Sequence, residues 1–557
     1  MTSASYRVQV LIQLLEQHLI KHVIFSPGSR NAPLVIGFNS SSFFEKKVIV
    51  DERSAGFYAL GIAQQTKKPT VICSTSGSAT LNYAPSVAEA YYQKVPLIVI
   101  TADRPPEWID HGEGQSMRQQ NIYSNYIEKS YQLPMLDHPD ALWQTGVIIN
   151  EAIQTAKTTS KPVHLNFPFR EPLYKTVPKA EKEVRKIEYV STSKEISNDQ
   201  FQGLLKGWNK FQKKMIVCVY LNPDEELNDI IRELHQLQDV CILSESTSNV
   251  YGDHVISCID RTLERIYGRP EFLPELVITI GNSIISKKLK TLFREYNPIE
   301  HWHIEDTNRA QDVFSSLTAF LPLEPKNFLK QLTSHLENKK EESVFHNLWK
   351  KEDLMASKNH AIFEKSCIWS DLKAHYILQK YLKDNFIIQM GNSTSIRYIQ
   401  LFDTKKNLNY FGNRGISGIE GSTSTAMGSA SVHSKTNILI TGDLSFIYDQ
   451  NGLWNNYIPN NLKLFVFNNQ GGGIFKIISG PKNTPFLEEY FETKHELSLK
   501  SIAQTHHLNY HCAKNEKEAE QIIPSVLESN QFEIVEFFTG NVENEKILND
   551  YFSVIKK

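Results

Sequence analysis

Two apolar runs in the last third of the chain break into polar turns. One ends in Gly442-Asp443-Leu444-Ser445; the other, Leu464-Phe465-Val466-Phe467, ends in Asn468-Asn469-Gln470-Gly471-Gly472-Gly473. An Asp carboxylate, an Asn carbonyl and a backbone carbonyl are oxygen ligands, the set a hard cation such as Mg²⁺ takes when a diphosphate completes its octahedron. Neighbouring glycines let the backbone approach phosphate oxygens closely. Either turn alone is ordinary strand-end chemistry. Together, at the ends of two buried strands of one βα unit, they point to a diphosphate anchored through a cation.

Glu52 is the candidate acid–base group. It follows the apolar run Val48-Ile49-Val50 and opens a stretch of small residues, Ser54-Ala55-Gly56. Partial desolvation there would raise the carboxyl pKa and let it hold or share a proton. The bland reading is a Glu in the first turn of a helix, or one paired with Arg53.

These residues need a frame large enough to place them. At 557 residues the chain is too long for one core, and the length prior suggests about three or four domains. Its 60 basic and 62 acidic residues nearly cancel, so no global field recruits nucleic acid or an anionic membrane. Six scattered cysteines without a Cys-x-x-Cys pair argue against a zinc or disulfide scaffold. With no basic-then-apolar leader and no run near the ~20 residues of a membrane span, the expectation is a cytoplasmic protein.

Short apolar runs alternate with amphipathic stretches, the pattern of parallel sheets with crossover helices. In a first block, His22 to Phe25, Lys47 to Val50, Thr70 to Cys73 and Leu97 to Ile100 read as strands. A charged linker is expected from Lys179 to Lys194. The middle block offers Met215 to Tyr220, Val240 to Leu243 and Leu276 to Ile280, and a polar helical stretch from Asn338 to Lys358 leads onward. The last block offers Phe386 to Gln389, Ile438 to Thr441, Leu464 to Phe467 and Glu533 to Phe537. Gly-Asn-Ser follows a strand in both later blocks, at Gly281 and Gly391, too short a likeness to establish duplication. Ligands of open α/β sheets bind at the carboxyl ends of strands, so the loops after these runs should line a site.

Several loops are more particular. Ser26-Pro-Gly-Ser-Arg30, Asp51-Glu-Arg-Ser54, Thr75-Ser-Gly-Ser-Ala79 and Thr101-Ala-Asp-Arg-Pro-Pro106 are matched later by Gly391-Asn-Ser393, Asn413-Arg-Gly-Ile-Ser-Gly-Ile-Glu-Gly421, Gly442-Asp-Leu-Ser445 and Asn468-Asn469. In this order they resemble the thiamine-diphosphate-dependent family of 2-succinyl-5-enolpyruvyl-6-hydroxy-3-cyclohexene-1-carboxylate synthases of menaquinone biosynthesis. The resemblance runs over most of the chain and is weakest in the middle block. It implies three doubly wound parallel-sheet domains: a pyrimidine-binding domain (1–180), a middle domain (195–345) and a diphosphate-binding domain (360–557).

The resemblance also implies decarboxylation of 2-oxoglutarate on thiamine diphosphate and conjugate addition of the product carbanion to isochorismate. Glu52 would engage the cofactor's aminopyrimidine and promote deprotonation of the thiazolium. Ser29, Arg30 and Gln115 would contact isochorismate or the growing intermediate, with Ser393 and Asn392 at the reacting end. Arg104, Arg397 and Arg414, with Lys287 and Lys288 of the middle domain, would hold substrate carboxylates, since arginine forks match carboxylates in a bidentate way. Phe475 would pack beside the substrate. Ser417, Gly418, Leu444, Ser445, Gly473 and Ile474 would line the cofactor, and Ile419 would wedge it into a bent form. Asp443, Asn469 and the Gly471 carbonyl would bind Mg²⁺ or Mn²⁺. The working unit would be a homodimer or homotetramer, the glutamate of one subunit facing the diphosphate domain of another.

Two positions depart from the family pattern. Lys288 stands where arginine is expected and lacks the planar fork, and Gly114 stands where some relatives carry Asn. Both bear on substrate geometry, not on reaction class. Three rivals remain: an acetolactate-synthase-like carboligase, a catalytically silent cofactor-binding protein, and a dinucleotide oxidoreductase. The last lacks the Gly-x-Gly-x-x-Gly turn with a later acidic residue.

Overall fold

Long apolar runs without alternation form strands covered on both faces, and they assemble into three six-stranded sheets, each wholly parallel and flanked by helices. The computed structural model describes every residue except 136, 137, 179–183, 191, 193, 338–343, 479, 541 and 542. The expected linker lies partly outside the described residues; its described part forms no helix or strand. It is held to the first domain by Val184 N–H to Gln13 and Ile187 N–H to Asn150. Beyond residue 343 the polar helical stretch is the helix Val344–Ser366.

With each sheet's strands numbered in chain order, the first sheet runs 2-1-3-4-6-5: Glu45–Val48, His22–Phe25, Thr70–Ser74, Leu97–Asp103, Val163–Pro168, Lys129–Gln132. The last sheet has the same order: Asn409–Gly412, Ile387–Met390, Asn437–Gly442, Leu462–Asn468, Glu533–Phe538, Asn509–Ala513. The middle sheet runs 3-2-1-4-5-6, from Val255–Ile256 through Val240–Ser244, Lys214–Cys218, Leu276–Ile280 and Glu300–Ile304 to Ala319–Leu321. The Gly-Asn-Ser recurrence joins the middle and last blocks, whereas shared topology joins the first and last. Each order has a switch point where successive connections leave in opposite directions and a crevice opens at the carboxyl ends.

The expected strand Lys47 to Val50 is shifted to Glu45–Val48. It is an edge strand with little burial, so its apolar pattern is weak, and Asp51 then caps the next helix by accepting the Ser54 N–H at 3.0 Å.

One apolar core is shared between the first and last sheets, including Ile24, Phe57, Leu60, Ala426, Met427, Leu439 and Leu464. Its seam is the crossing of helix Glu52–Thr66 with helix Ser422–Ala430. The backbones meet so closely that a Cβ on Gly428 would lie 1.9 Å from the Tyr58 carbonyl oxygen, and one on Gly61 2.0 Å from that of Thr425. Gly428→Ala is therefore expected to destabilise by about 1–3 kcal/mol through overpacking against backbone. A thermal midpoint equal to that of the parent would contradict this.

Candidate active site

The switch point of the last sheet lies between Ile387–Met390 and Asn437–Gly442, and Asp443 stands just beyond the second of these strands. Its side chain is buried (2% exposed). Oδ1 accepts the Leu444 N–H at 2.7 Å and Oδ2 the Gly471 N–H at 3.0 Å. His495 Nε2 lies 3.2 Å from Oδ2, and the carboxylate beside it holds the imidazole above its ordinary range. On the next strand end, Asn469 donates its Nδ2 to Asp371 at 2.9 Å, leaving its Oδ1 buried with no partner. The Gly471 carbonyl accepts the Gly473 N–H at 3.0 Å and keeps a second lone pair. At φ 156° and with a Cβ position 2.9 Å from the Glu492 carbonyl, Gly471 has no room for a side chain. A carboxylate, an orphaned amide oxygen and a backbone carbonyl fit a hard cation.

A second group knits three loops around this crevice. Asn392 donates to the carbonyls of Asn413 and Gly418, both at 2.7 Å, and its Oδ1 accepts Arg414 Nη1 at 2.8 Å. The Ser445 hydroxyl donates to the Ile419 carbonyl at 2.6 Å. Half-buried Ile419 is thus fixed between Ser417, at φ 68°, and the helix that Asp443 and Leu444 open. Burial lowers the Arg414 pKa, with Glu245 and Glu89 acting the other way.

The first-domain candidates gather at their own switch point. Arg30 is buried, donates its backbone N–H to the Thr75 hydroxyl at 3.2 Å and Nη1 to the Phe169 carbonyl at 3.1 Å, and lies 3.3 Å from Glu171. Ser29 beside it is exposed. Gln115, at φ 55°, lies over Gly77, whose Cβ position is 3.2 Å from the Gln115 Cα. Arg104 donates to the Gly114 carbonyl at 2.9 Å. Half-buried Glu52 accepts from Asn82 Nδ2 at 3.2 Å.

Two cavities adjoin. One of about 670 Å³ is lined by Asn469, Gly473, Asp371 and His495. The other, about 380 Å³, lies between the middle and last sheets and is lined by Lys287, Lys288, Arg397 and Ile474. Both share Thr394, Tyr398 and Ile477. Phe475 sits next to Ile474 with its ring 5.8 Å from that of Phe491. Lys288 is already engaged, paired with Glu264 and 3.7 Å from the Phe552 ring centroid. Glu52, Ser29, Arg30, Arg104 and Gln115 line neither cavity.

A family model for the thiamine pyrophosphate enzyme N-terminal TPP binding domain matches residues 7–122. The chain is 40% identical over 550 residues to the 2-succinyl-5-enolpyruvyl-6-hydroxy-3-cyclohexene-1-carboxylate synthase of Flavobacterium johnsoniae, covering 98% of both chains. It belongs to this synthase family. The synthase of Flavobacterium psychrophilum is 39% identical, covering 98% of each, and that of Porphyromonas gingivalis 37% identical, covering 98% of this chain and 97% of the relative.

In this chain Ser393 has an unusual backbone. Its φ of 70° and ψ of −126° fall where glycine is at home and other residues are strained. Arg397 Nη1 donates to its carbonyl at 2.6 Å and helps hold it there. Ser393→Gly is expected to stabilise by about 1 kcal/mol while lowering turnover. A melting point below the parent's would show that the backbone is unstrained.

Four supporting residues escaped the sequence reading. Glu89 accepts the N–H groups of Gly415 and Ile416 at 2.6 and 2.7 Å, and burial pushes its carboxyl up. Fully buried Glu245 accepts those of Ile285 and Ser286, and burial raises it to about 7 against the pull of Arg414. Asp371 and His495 back the candidate cation ligands. The one available hint was at Glu89, a lone acid among the small and apolar residues of Ser86 to Ala90.

Proposed function

We propose that the chain decarboxylates 2-oxoglutarate and adds the resulting four-carbon unit, in the conjugate sense, to isochorismate. The products are CO₂ and 2-succinyl-5-enolpyruvyl-6-hydroxy-3-cyclohexene-1-carboxylate, the second being the compound in the relatives' name. Thiamine diphosphate, when bound, supplies the electron sink that lets a 2-oxo acid lose CO₂ and its carbonyl carbon act as a nucleophile. The observation that carries the reading is the junction at Thr394, Tyr398 and Ile477 of two cavities, one lined by Asn469 of the oxygen-ligand set and the other by Lys287, Lys288 and Arg397.

Asp443, Asn469 and the Gly471 carbonyl would hold Mg²⁺ or Mn²⁺. Leu444, Ser445, Gly473 and Ile474 would line the diphosphate, with Asn392, Ser417, Gly418 and Ile419 along the rest of the cofactor. Glu52 would hold and return the proton that the aminopyrimidine exchanges. Arg397, Arg414, Lys287 and Lys288 would take substrate carboxylates, Phe475 would exclude water beside them, and Ser393 would face the reacting carbon. Because Lys288 is shared with Glu264, Lys287 and Arg397 would carry most of the charge on their side.

Ser29, Arg30, Arg104 and Gln115, with Glu52, would complete the site from a second subunit. The assembly would be a homodimer or a pair of dimers. No helix of the described residues is long and apolar enough to cross a membrane. All six cysteines are free thiols, which suits the cytoplasm.

The test is a turnover assay with thiamine diphosphate, Mg²⁺, 2-oxoglutarate and isochorismate, following isochorismate by absorbance. Loss that needs every component supports the reading. Release of CO₂ from 2-oxoglutarate with isochorismate untouched would leave the donor standing and remove the acceptor. Turnover of pyruvate instead would favour the acetolactate-synthase-like rival.

A further inference from the structure

An amide is a good cation ligand only if its oxygen, not its NH₂, faces the ion. The Asn469 side chain has no intrinsic preference between the two ends, so something must choose. Asp371 stands behind it on the first turn of helix Asp371–Tyr381, 98 positions away in sequence and 2% exposed. An ionised carboxylate only accepts hydrogen bonds. Its Oδ2 takes the Asn469 Nδ2 at 2.9 Å, and the amide oxygen is thereby turned the other way, buried and partnerless.

Asp371 is itself held from two sides. Its other oxygen accepts the Thr539 hydroxyl, and its backbone N–H donates to Asn544 Oδ1 at 2.8 Å. Thr539 is buried and its own N–H donates to the Asn468 carbonyl at 2.8 Å, which ties this support to the strand end that carries Asn469. The Asp371 carboxylate therefore has little freedom, and neither has the amide it grips.

We propose that Asp371 is a positioning residue of the cation site, selecting the end of the Asn469 amide that the cation meets. This rests on the reading of Asp443 and Asn469 as cation ligands. Outer partners of metal ligands commonly contribute about 10–100-fold in affinity.

The experiment measures Mn²⁺ affinity by electron paramagnetic resonance with thiamine diphosphate present. Asp371→Leu removes the acceptor while keeping the branched heavy-atom skeleton and is expected to weaken Mn²⁺ about 10–100-fold. Asn469→Asp alone sets two carboxylates face to face and is expected to weaken it as well. The swap Asp371→Asn with Asn469→Asp restores one donor and one acceptor, and a carboxylate has no wrong end to present. It is expected to recover most of the affinity, a reversal that a purely structural role for Asp371 does not produce.

Affinity of Asp371→Leu within threefold of the parent overturns the proposal. If that variant fails to fold, a swap binding no better than Asn469→Asp alone overturns it too. Asp443→Asn separates the two readings. Unchanged Mn²⁺ affinity in that variant removes the cation site itself, whereas a loss there beside a normal Asp371→Leu removes only the role of Asp371.

Discussion

Glu52→Gln is expected to lower kcat by about 10²–10⁴-fold, the usual contribution of a positioned acid–base group, with thiamine diphosphate still bound. The substitution keeps size and shape. Glu52 accepts a hydrogen bond from Asn82, and a glutamine carbonyl can accept the same bond. The surrounding helix start does not depend on its charge, because Asp51 supplies the cap at Ser54 and Arg53 is anchored separately. Arg53 donates to the Tyr448 carbonyl at 2.6 Å and lies 4.3 Å from that residue's ring centroid. What the variant loses is the ability to hold and release a proton. The measurement is isochorismate consumption beside a cofactor titration by intrinsic fluorescence. Unchanged cofactor affinity with collapsed kcat assigns Glu52 to proton exchange; kcat within threefold of the parent sinks that assignment.

Central strands were legible because burial on both faces leaves an uninterrupted apolar run, as in Leu276–Ile280, whose expected and observed limits coincide. Strands made of mixed residues were not. Lys129–Gln132, Asn409–Gly412 and Asn509–Ala513 lie at sheet edges, where one side faces solvent or helix ends and polar residues are tolerated. The common order of the first and last sheets was equally hidden, since topology lives in which strands pair and leaves no short repeat.

The candidate site divides in the same way. Asp443, Asn469 and Asn392 stand in turns whose glycines and amides are local signals. Their supports come from remote segments: Glu89 meets Gly415 across 326 positions, and Asp371 meets Asn469 across 98. A buried carboxylate accepting backbone N–H groups looks, in sequence, like any other acidic residue. Lys288 shows a related limit. Its place beside Lys287 points to a substrate cation, but nothing local shows that Glu264 and Phe552, each from a different helix, also engage it.

Asp443→Asn is expected to raise the half-saturating Mg²⁺ concentration by at least about 100-fold at fixed thiamine diphosphate, since a charged ligand at a hard-cation site contributes more than the outer partner that orients it. The amide is close in volume to the carboxylate, so the turn after Asn437–Gly442 should keep its shape. Only one of its two ends can accept, however. If its oxygen stays on the Leu444 N–H, its NH₂ meets the Gly471 N–H, donor against donor; the reverse orientation strands Leu444. Relief from burying a charge offsets part of that loss, so the melting point of the cofactor-free chain should move by a few degrees at most. The defect is one of binding. Saturating Mg²⁺ should therefore bring kcat back to within about tenfold of the parent, whereas no cation concentration should rescue Glu52→Gln. If Asp443→Asn leaves the Mg²⁺ requirement unchanged, Asp443 is a structural cap of the helix it opens. If excess cation fails to restore turnover although cofactor is bound, Asp443 acts in the chemistry and not in the anchoring.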